Sequence, residues 1–259
     1  MNEIEKNGLA QMYNVRPDKV KVVYNPKDIR DFHNFTDTAW EISKKLKLME
    51  KDVVQILPLC STRIDSKGID AVIYAIAALK RANKSVGLVI ANSNASKMKV
   101  EIDGKIQMMK ELGLKENEDY IFTSKILDNK PLDRASVANL FLISNIFVYG
   151  SWREVCPNVL LEAETNPNIL LVLNEETRPL KEFGGKTFND REVLYFRATS
   201  KAAGMPDGRA SIKPVPYSKT YYDELAKKII EILPSRDYVK RYSWENIWKQ
   251  QMEPLIYGG

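Results

Sequence analysis

Ser151-Trp-Arg-Glu154-Val-Cys-Pro157-Asn158-Val-Leu-Leu-Glu162-Ala163 sets two carboxylates on either side of a proline. The apolar run before it, Leu140 to Tyr149, reads as a helix end, a break at Ser144-Asn145, and a buried strand from Ile146 to Tyr149. Pro157 suits the first position of a helix, where its missing N–H would be unpaired in any case. Glu154 is therefore expected on the loop that leaves the strand, and Glu162 in the second turn of the next helix. In an open parallel sheet ligands bind in that position, beyond the carboxyl ends of the strands and facing helix N-termini.

Upstream, Leu59-Cys-Ser-Thr62-Arg63-Ile-Asp65-Ser66-Lys67-Gly68 also leaves a strand and opens a helix. Ile69, Val72, Ile73, Ile76, Ala77 and Lys80 follow at helical spacing and predict one buried face. Asp65 or Ser66 can cap that helix. Arg63 offers a planar fork of donors, Lys67 a mobile point charge and the helix N-terminus exposed amides, a combination suited to an anion.

Between and around these stretches, residues 3–14 read as a helix, Lys19 to Asn25 as a strand stopped by Asn25-Pro26, and residues 36–49 as a charged amphipathic helix. Strands are predicted at Val53–Leu59, Ser85–Ala91, Glu118–Ser124, Asn168–Leu173 and Val193–Phe196. Helices are predicted at residues 98–112, stopped by Gly113, at Leu132–Ser144 and at Thr220–Leu233. Residues 199–218 read as a long loop. At the C-terminus Trp244, Ile247, Trp248, Met252 and Leu255 make one apolar helical face. Strands alternating with helices from residue 53 to residue 233 predict an α/β, Rossmann-like, mainly parallel sheet with helices on both faces. The expected organisation is a lead-in over 1–50, a Rossmann-like domain over 51–240 and a terminal helix over 241–259.

The 259 residues are enough to bury a sizeable core. No apolar run approaches membrane-spanning length, and Met1-Asn-Glu-Ile-Glu-Lys lacks a signal-peptide pattern. Cys60 and Cys156 are the two cysteines, which argues against a disulfide framework and for a reducing, cytoplasmic compartment. The net charge of +5 suits anionic phosphates or loose membrane association. The basic residues are scattered rather than tracked, so nucleic acid is not an expected partner. No G-x-G-x-x-G follows a strand, and neither a Walker loop nor Asp-x-Asp occurs. His33, the single histidine, and two cysteines make no zinc set.

The stretch from Glu154 to Ala163 resembles the E-x7-E signature of group 1 (family 4) retaining glycosyltransferases of the GT-B fold, many of which read E-G-F-P-N-V-L-L-E-A there. Glu154, Pro157, Asn158, Val159, Leu160, Leu161, Glu162 and Ala163 match; Val155 and Cys156 replace the small-aromatic pair. Arg63 and Lys67 resemble the family's G-R-x-x-x-x-K-G, with Thr62 for Gly and a spacing one shorter. Lys19 to Asp28 resembles the strand joining the two lobes, and Tyr242-Ser-Trp-Glu the terminal helix that crosses back. Asn174-Glu-Glu-Thr-Arg-Pro-Leu180 departs from the family's Gly-rich loop.

The resemblance implies the donor-binding half of a retaining glycosyltransferase. Its donor would be a nucleotide-diphospho-sugar (UDP- or GDP-sugar), with no metal or other cofactor. Glu154 would contact the donor sugar, and Arg63 and Lys67 the diphosphate; replacing both should weaken donor binding far more than folding. Glu162 would hold the ribose hydroxyls, with Pro157 and Asn158 beside it, while Ser124, Lys125 and Ile126 would lie along the base, largely through their backbone. The fifty or so residues before Val53 are too few for an acceptor lobe, so the chain alone is expected to bind nucleotide without transferring sugar. A non-catalytic nucleotide-sugar-binding module and a nucleotide-sugar epimerase on the same fold are the alternatives.

Overall fold

The structure, a computed structural model, describes residues 3–21, 34–59, 65–93, 99–152, 154, 157–184, 193–198, 217–236 and 247–257. They fall into two compact units. One is Phe35–Ser235, and the other joins Met1–Asn34 to Arg236–Gly259.

The larger unit is built on six parallel strands. β1 (Val53–Pro58), β2 (Val86–Ala91) and β3 (Tyr120–Phe122) form one ladder, in the order β1-β2-β3; β4 (Ile146–Tyr149), β5 (Leu170–Asn174) and β6 (Val193–Phe196) form another, in the order β4-β5-β6. Val53 pairs with Val86, Leu88 with Tyr120, Ile146 with Leu170 and Leu171 with Val193. The first five strands are buried almost throughout, as parallel strands covered on both faces must be.

β1 and β4 lie side by side, joined largely through side chains. The fully buried Gln55 amide donates to the Val148 carbonyl (2.8 Å) and accepts from the Val148 N–H (3.1 Å). Asn145 accepts from the Val54 N–H through its side chain (2.9 Å) and donates its own backbone N–H to the Val54 carbonyl (3.1 Å). These amides satisfy buried backbone groups that would otherwise be orphaned. Across the seam the strand order is 3-2-1-4-5-6, the doubly wound arrangement whose switch point lies between β1 and β4.

Helices α3 (Ile69–Arg81), α4 (Lys99–Glu111) and α8 (Lys219–Ile232) pack together on one face; α2 (Asp37–Leu46), α5 (Arg134–Leu142), α6 (Asn158–Glu164) and α7 (Arg178–Phe183) cover the other. α3 was expected to bury one face, yet Ala71, Ala75, Ala78 and Leu79 are buried as well as the predicted Ile69, Val72, Ile73, Ile76 and Ala77. Neighbours on several sides account for this: α3 meets the sheet, α4 through Asp70–Lys105 (2.6 Å), and α8 through Arg81–Asp223 (2.5 Å). Its N-cap is neither Asp65 nor Ser66. Residues 65–67 form a 3-10 turn, and Gly68, at φ +68°, caps the helix without a side-chain bond.

The lead-in expected to end at residue 50 ends near residue 34. Thr36 caps α2 through Ala39 N–H, receives support from Asn139 and Ser136 of α5, and sends Ala39, Ile42 and Leu46 into the core. Pro157 is the N-cap of α6 rather than its first residue. The connection after β5, read as a loop, contains the short helix α7, with Pro179 in its first turn.

In the smaller unit, α1 (Glu3–Met12) is followed by a 3-10 turn, Pro17–Lys19, so Lys19 closes a turn instead of opening a strand. The rest of that expected strand, from Val22, lies outside the described residues, as do His33, Cys60, Cys156, Arg63 and Trp244. At the C-terminus a π-helical turn, Trp248–Met252, precedes α9 (Glu253–Tyr257). The wider π turn breaks the helical phase of the predicted apolar face: Ile247 is buried, Trp248 and Met252 half-buried, and Leu255 exposed.

Candidate functional site

The turn after β1 and the loop after β4 meet at the switch point. Trp152 N–H donates to the Ser66 carbonyl (2.9 Å), and the Ser151 hydroxyl reaches the same oxygen (3.2 Å). Gly68 and Gly150 make the approach possible. A Cβ on Gly68 would collide with the Gly150 carbonyl, and one on Gly150 would stand 2.9 Å from the Ala71 methyl. Only glycine fits both the close approach and the left-handed backbone at position 68.

This contact delivers Lys67 to Glu154. The ammonium donates to Glu154 Oε1 at 2.6 Å, and the same oxygen receives the Ser151 hydroxyl (2.8 Å) and the Tyr149 hydroxyl. The Glu154 side chain is only 7% exposed and that of Lys67 18%, so the pair sits in a poorly hydrated setting where charge-assisted bonds are strong. Burial raises the Tyr149 pKa, and its bond to the Glu154 carboxylate raises it further, so Tyr149 remains a donor.

The Ser151 carbonyl is braced from β5 and the turn after it. The Asn174 amide donates at 3.2 Å and the Thr177 hydroxyl at 2.5 Å, both side chains being buried. The sequence flags this turn only as a departure from a glycine-rich loop; a buried Asn and Thr three residues apart are what the departure supplies. Tyr149, the last residue of the apolar strand, was likewise read as core.

A cavity of about 480 Å³ opens beyond the ends of β1 and β2, between α5 and α6. Leu59, Asn92, Arg134, Phe141 and Glu162 are among its lining residues. Glu162 is exposed at this cavity, in the second turn of α6, while Glu154 belongs to the cluster with Lys67. Pro157 is buried and Asn158 exposed at the start of α6. Lys125 is paired with Glu116 at 2.5 Å and is not among the cavity's lining residues; Ile126 donates its N–H to the Thr123 carbonyl (3.0 Å). Thus Lys67 and Glu154 come together, Glu162 stands on the neighbouring cavity, and Lys125 faces another partner. Among the described residues no cluster of His, Cys, Asp and Glu is arranged to hold a metal ion, and no helix is long and apolar enough to cross a membrane.

A glycosyltransferase from Rickettsia africae superposes on 96% of this chain at 12% identity with a TM-score of 0.50. The fold is that of a GT-B glycosyltransferase. The chain spans 59% of that protein's length. Two further structures align less closely. One is HepE of Anabaena in complex with UDP-glucose, at 15% identity and TM-score 0.48, over 98% of this chain and 62% of that one. The other is the C-terminal domain of the group 1 glycosyl transferase LpcC from Francisella tularensis, at 15% identity and TM-score 0.45, over 87% and 98%. No protein-family model matches the sequence, and no curated protein does.

Proposed function

We propose that the chain binds a nucleotide-diphospho-sugar and is the donor-binding half of a retaining glycosyltransferase that works without a metal. The observation that carries this reading is the Lys67–Glu154 contact at the β1/β4 switch point, on a sheet edge whose neighbouring cavity carries Glu162. In the free protein Lys67 and Glu154 neutralise each other. A diphosphate competes with the carboxylate for the ammonium, and Lys67, joined by Arg63, then stabilises the charge that develops as the bond to the sugar breaks. Glu154, released from Lys67, turns an acceptor oxygen toward the sugar hydroxyls, with Tyr149 and Ser151 holding its orientation. Glu162 takes the ribose hydroxyls. Acceptor binding and closure over the reacting groups belong to a second lobe, in keeping with the fraction of the related chain that is spanned here.

Calorimetry separates the two glutamates. Glu162→Ala should weaken binding of free UDP or GDP about tenfold, the equivalent of one charge-assisted hydrogen bond. Glu154→Ala removes the competitor for the Lys67 ammonium, so free nucleotide affinity should not fall and should rise modestly, while the preference for nucleotide-sugar over nucleotide is abolished. Identical behaviour of the two variants would overturn the division of roles. A binding-only module is the second reading, favoured by the engagement of Glu154 Oε1 with three donors. Sugar release from bound donor, measured with the full-length protein, separates that module from an enzyme.

A further inference from the structure

We infer that Asn92 selects the nucleobase, admitting a carbonyl at the ring position farthest from the ribose and rejecting an amino group there. The inference rests on the donor-binding reading above and specifies its substrate. Asn92 follows β2, borders the cavity and is 3% exposed. Its backbone is locked to the next strand end: its N–H donates to Thr123 Oγ1 (3.0 Å), and the Thr123 hydroxyl donates back to its carbonyl (3.1 Å). Its side-chain oxygen receives the Ser124 N–H at 3.2 Å. That bond fixes which end of the amide is which, because a backbone N–H can only donate. The NH2 end is therefore the remaining group. Among the described residues it has no partner, although it is buried.

A buried donor without an acceptor is costly and calls for a partner that the described residues do not supply; of the groups in that position, Asn92 is the one that borders the cavity. The cavity offers the route. Glu162, expected on the ribose, is exposed; Asn92 is buried among apolar lining that includes Leu59, Ala91 and Phe141. A flat, largely apolar ring with its ribose held at Glu162 would bring its far edge to the Asn92 wall, where the amide nitrogen, closed to solvent in the free protein, must turn outward to meet it. In a pyrimidine nucleotide that edge is C4, opposite the glycosidic nitrogen, and in a purine it is C6. Uracil and guanine carry a carbonyl there and complete the bond. Cytosine and adenine carry an amino group, which sets donor against donor and leaves the Asn92 amide unpaired.

UDP and CDP differ only at C4 and the adjoining N3, so the test needs no mutation. The 259-residue chain should bind UDP about ten- to a hundredfold more tightly than CDP, the range expected when a buried polar group is matched or left unmatched. GDP should exceed ADP in the same direction. Asn92→Asp keeps an oxygen for the Ser124 N–H and turns an acceptor toward the base; it should lower UDP affinity and raise CDP affinity. Equal affinities for UDP and CDP in the unaltered protein would overturn the inference and leave the donor-binding reading standing, as would a UDP preference unmoved in folded Asn92→Asp. Absence of binding by all four nucleoside diphosphates would remove the donor-binding reading itself, and the base inference with it.

Discussion

The cluster at Lys67–Glu154 and the cavity at Asn92–Glu162 stand at the same edge of one sheet, yet they treat polar groups in opposite ways. In the cluster the ammonium, two hydroxyls and one carboxylate oxygen converge, and the loop that carries them is braced by Asn174 and Thr177. In the cavity an exposed carboxylate and a buried amide donor await a partner among the described residues. The first arrangement is satisfied internally without ligand, and the second is completed by ligand. Substitutions in the cluster should therefore cost stability as well as affinity, and those in the cavity chiefly affinity.

The largest effect is expected from Lys67→Met. It strands the Glu154 carboxylate in a site where 7% of its side-chain surface is exposed, and losing one member of a buried ion pair costs about 3 kcal/mol or more. Urea denaturation should show it, and Lys67→Met combined with Glu154→Gln should recover most of the loss, because no charge is then left unpaired. This adds a folding cost to the expectation drawn from the motif, in which replacing Arg63 and Lys67 weakens donor binding far more than folding. The two roles of Lys67 separate in the double variant, which should be stable and still bind UDP poorly. A single Lys67→Met variant as stable as the parent would mean that the pair is not formed in solution.

Gly68→Ala should cost somewhat less, on the order of 2 kcal/mol, from left-handed strain together with contact against the Gly150 backbone. Its more informative consequence is local. Pushing the two loops apart lengthens the Lys67–Glu154 contact while leaving the Asn92 cavity intact. UDP binding should weaken, whereas the ratio of UDP to CDP affinity should hold. A changed ratio would show that cluster and cavity are mechanically one site.

What could be read from the residues follows the same division. The six strands are apolar runs between turn signals, and all six lie where those runs place them. The pairing of Lys67 with Glu154 was not legible, although both residues were singled out, because it depends on β1 and β4 being neighbours across the sheet. Nothing local announces that. Gln55 shows why: inside Val-Val-Gln-Ile-Leu-Pro it reads as an unremarkable polar residue, yet it takes the place of a peptide group in the seam. Asn92 lies in a polar run that reads as plain loop, and its importance comes from Thr123 and Ser124, thirty residues away in sequence. The α6 start was misplaced by one residue because a proline fits an N-cap as well as a first turn.

The smallest effect concerns the wall of the cavity. Asp133 caps α5, the helix that supplies Arg134, Val137, Ala138 and Phe141 to the lining, by accepting from the Ser136 N–H (2.8 Å) and the Ser136 hydroxyl (2.6 Å). The Ser136 side-chain bond, followed by its backbone bond, holds the Asp133 pKa below its ordinary 3.8. A carboxylate whose pKa is depressed by folding contributes stability that is fully present above the unfolded value and disappears as pH falls through the folded one. Asp133→Ala should therefore cost about 1 kcal/mol at neutral pH, the usual worth of a helix N-cap, and the gap from the parent should narrow below about pH 4. Asp133→Asn retains an acceptor for the Ser136 N–H, so it should cost less and show little of that acid dependence. Because the Asp133 carboxylate is spent on Ser136 and is not itself among the cavity's lining residues, UDP affinity should fall by less than the stability does in either variant. Thermal melts across pH with and without UDP test both statements together. A loss of nucleotide affinity larger than the loss of stability would show that the cap positions Arg134 for the ligand rather than merely closing the helix.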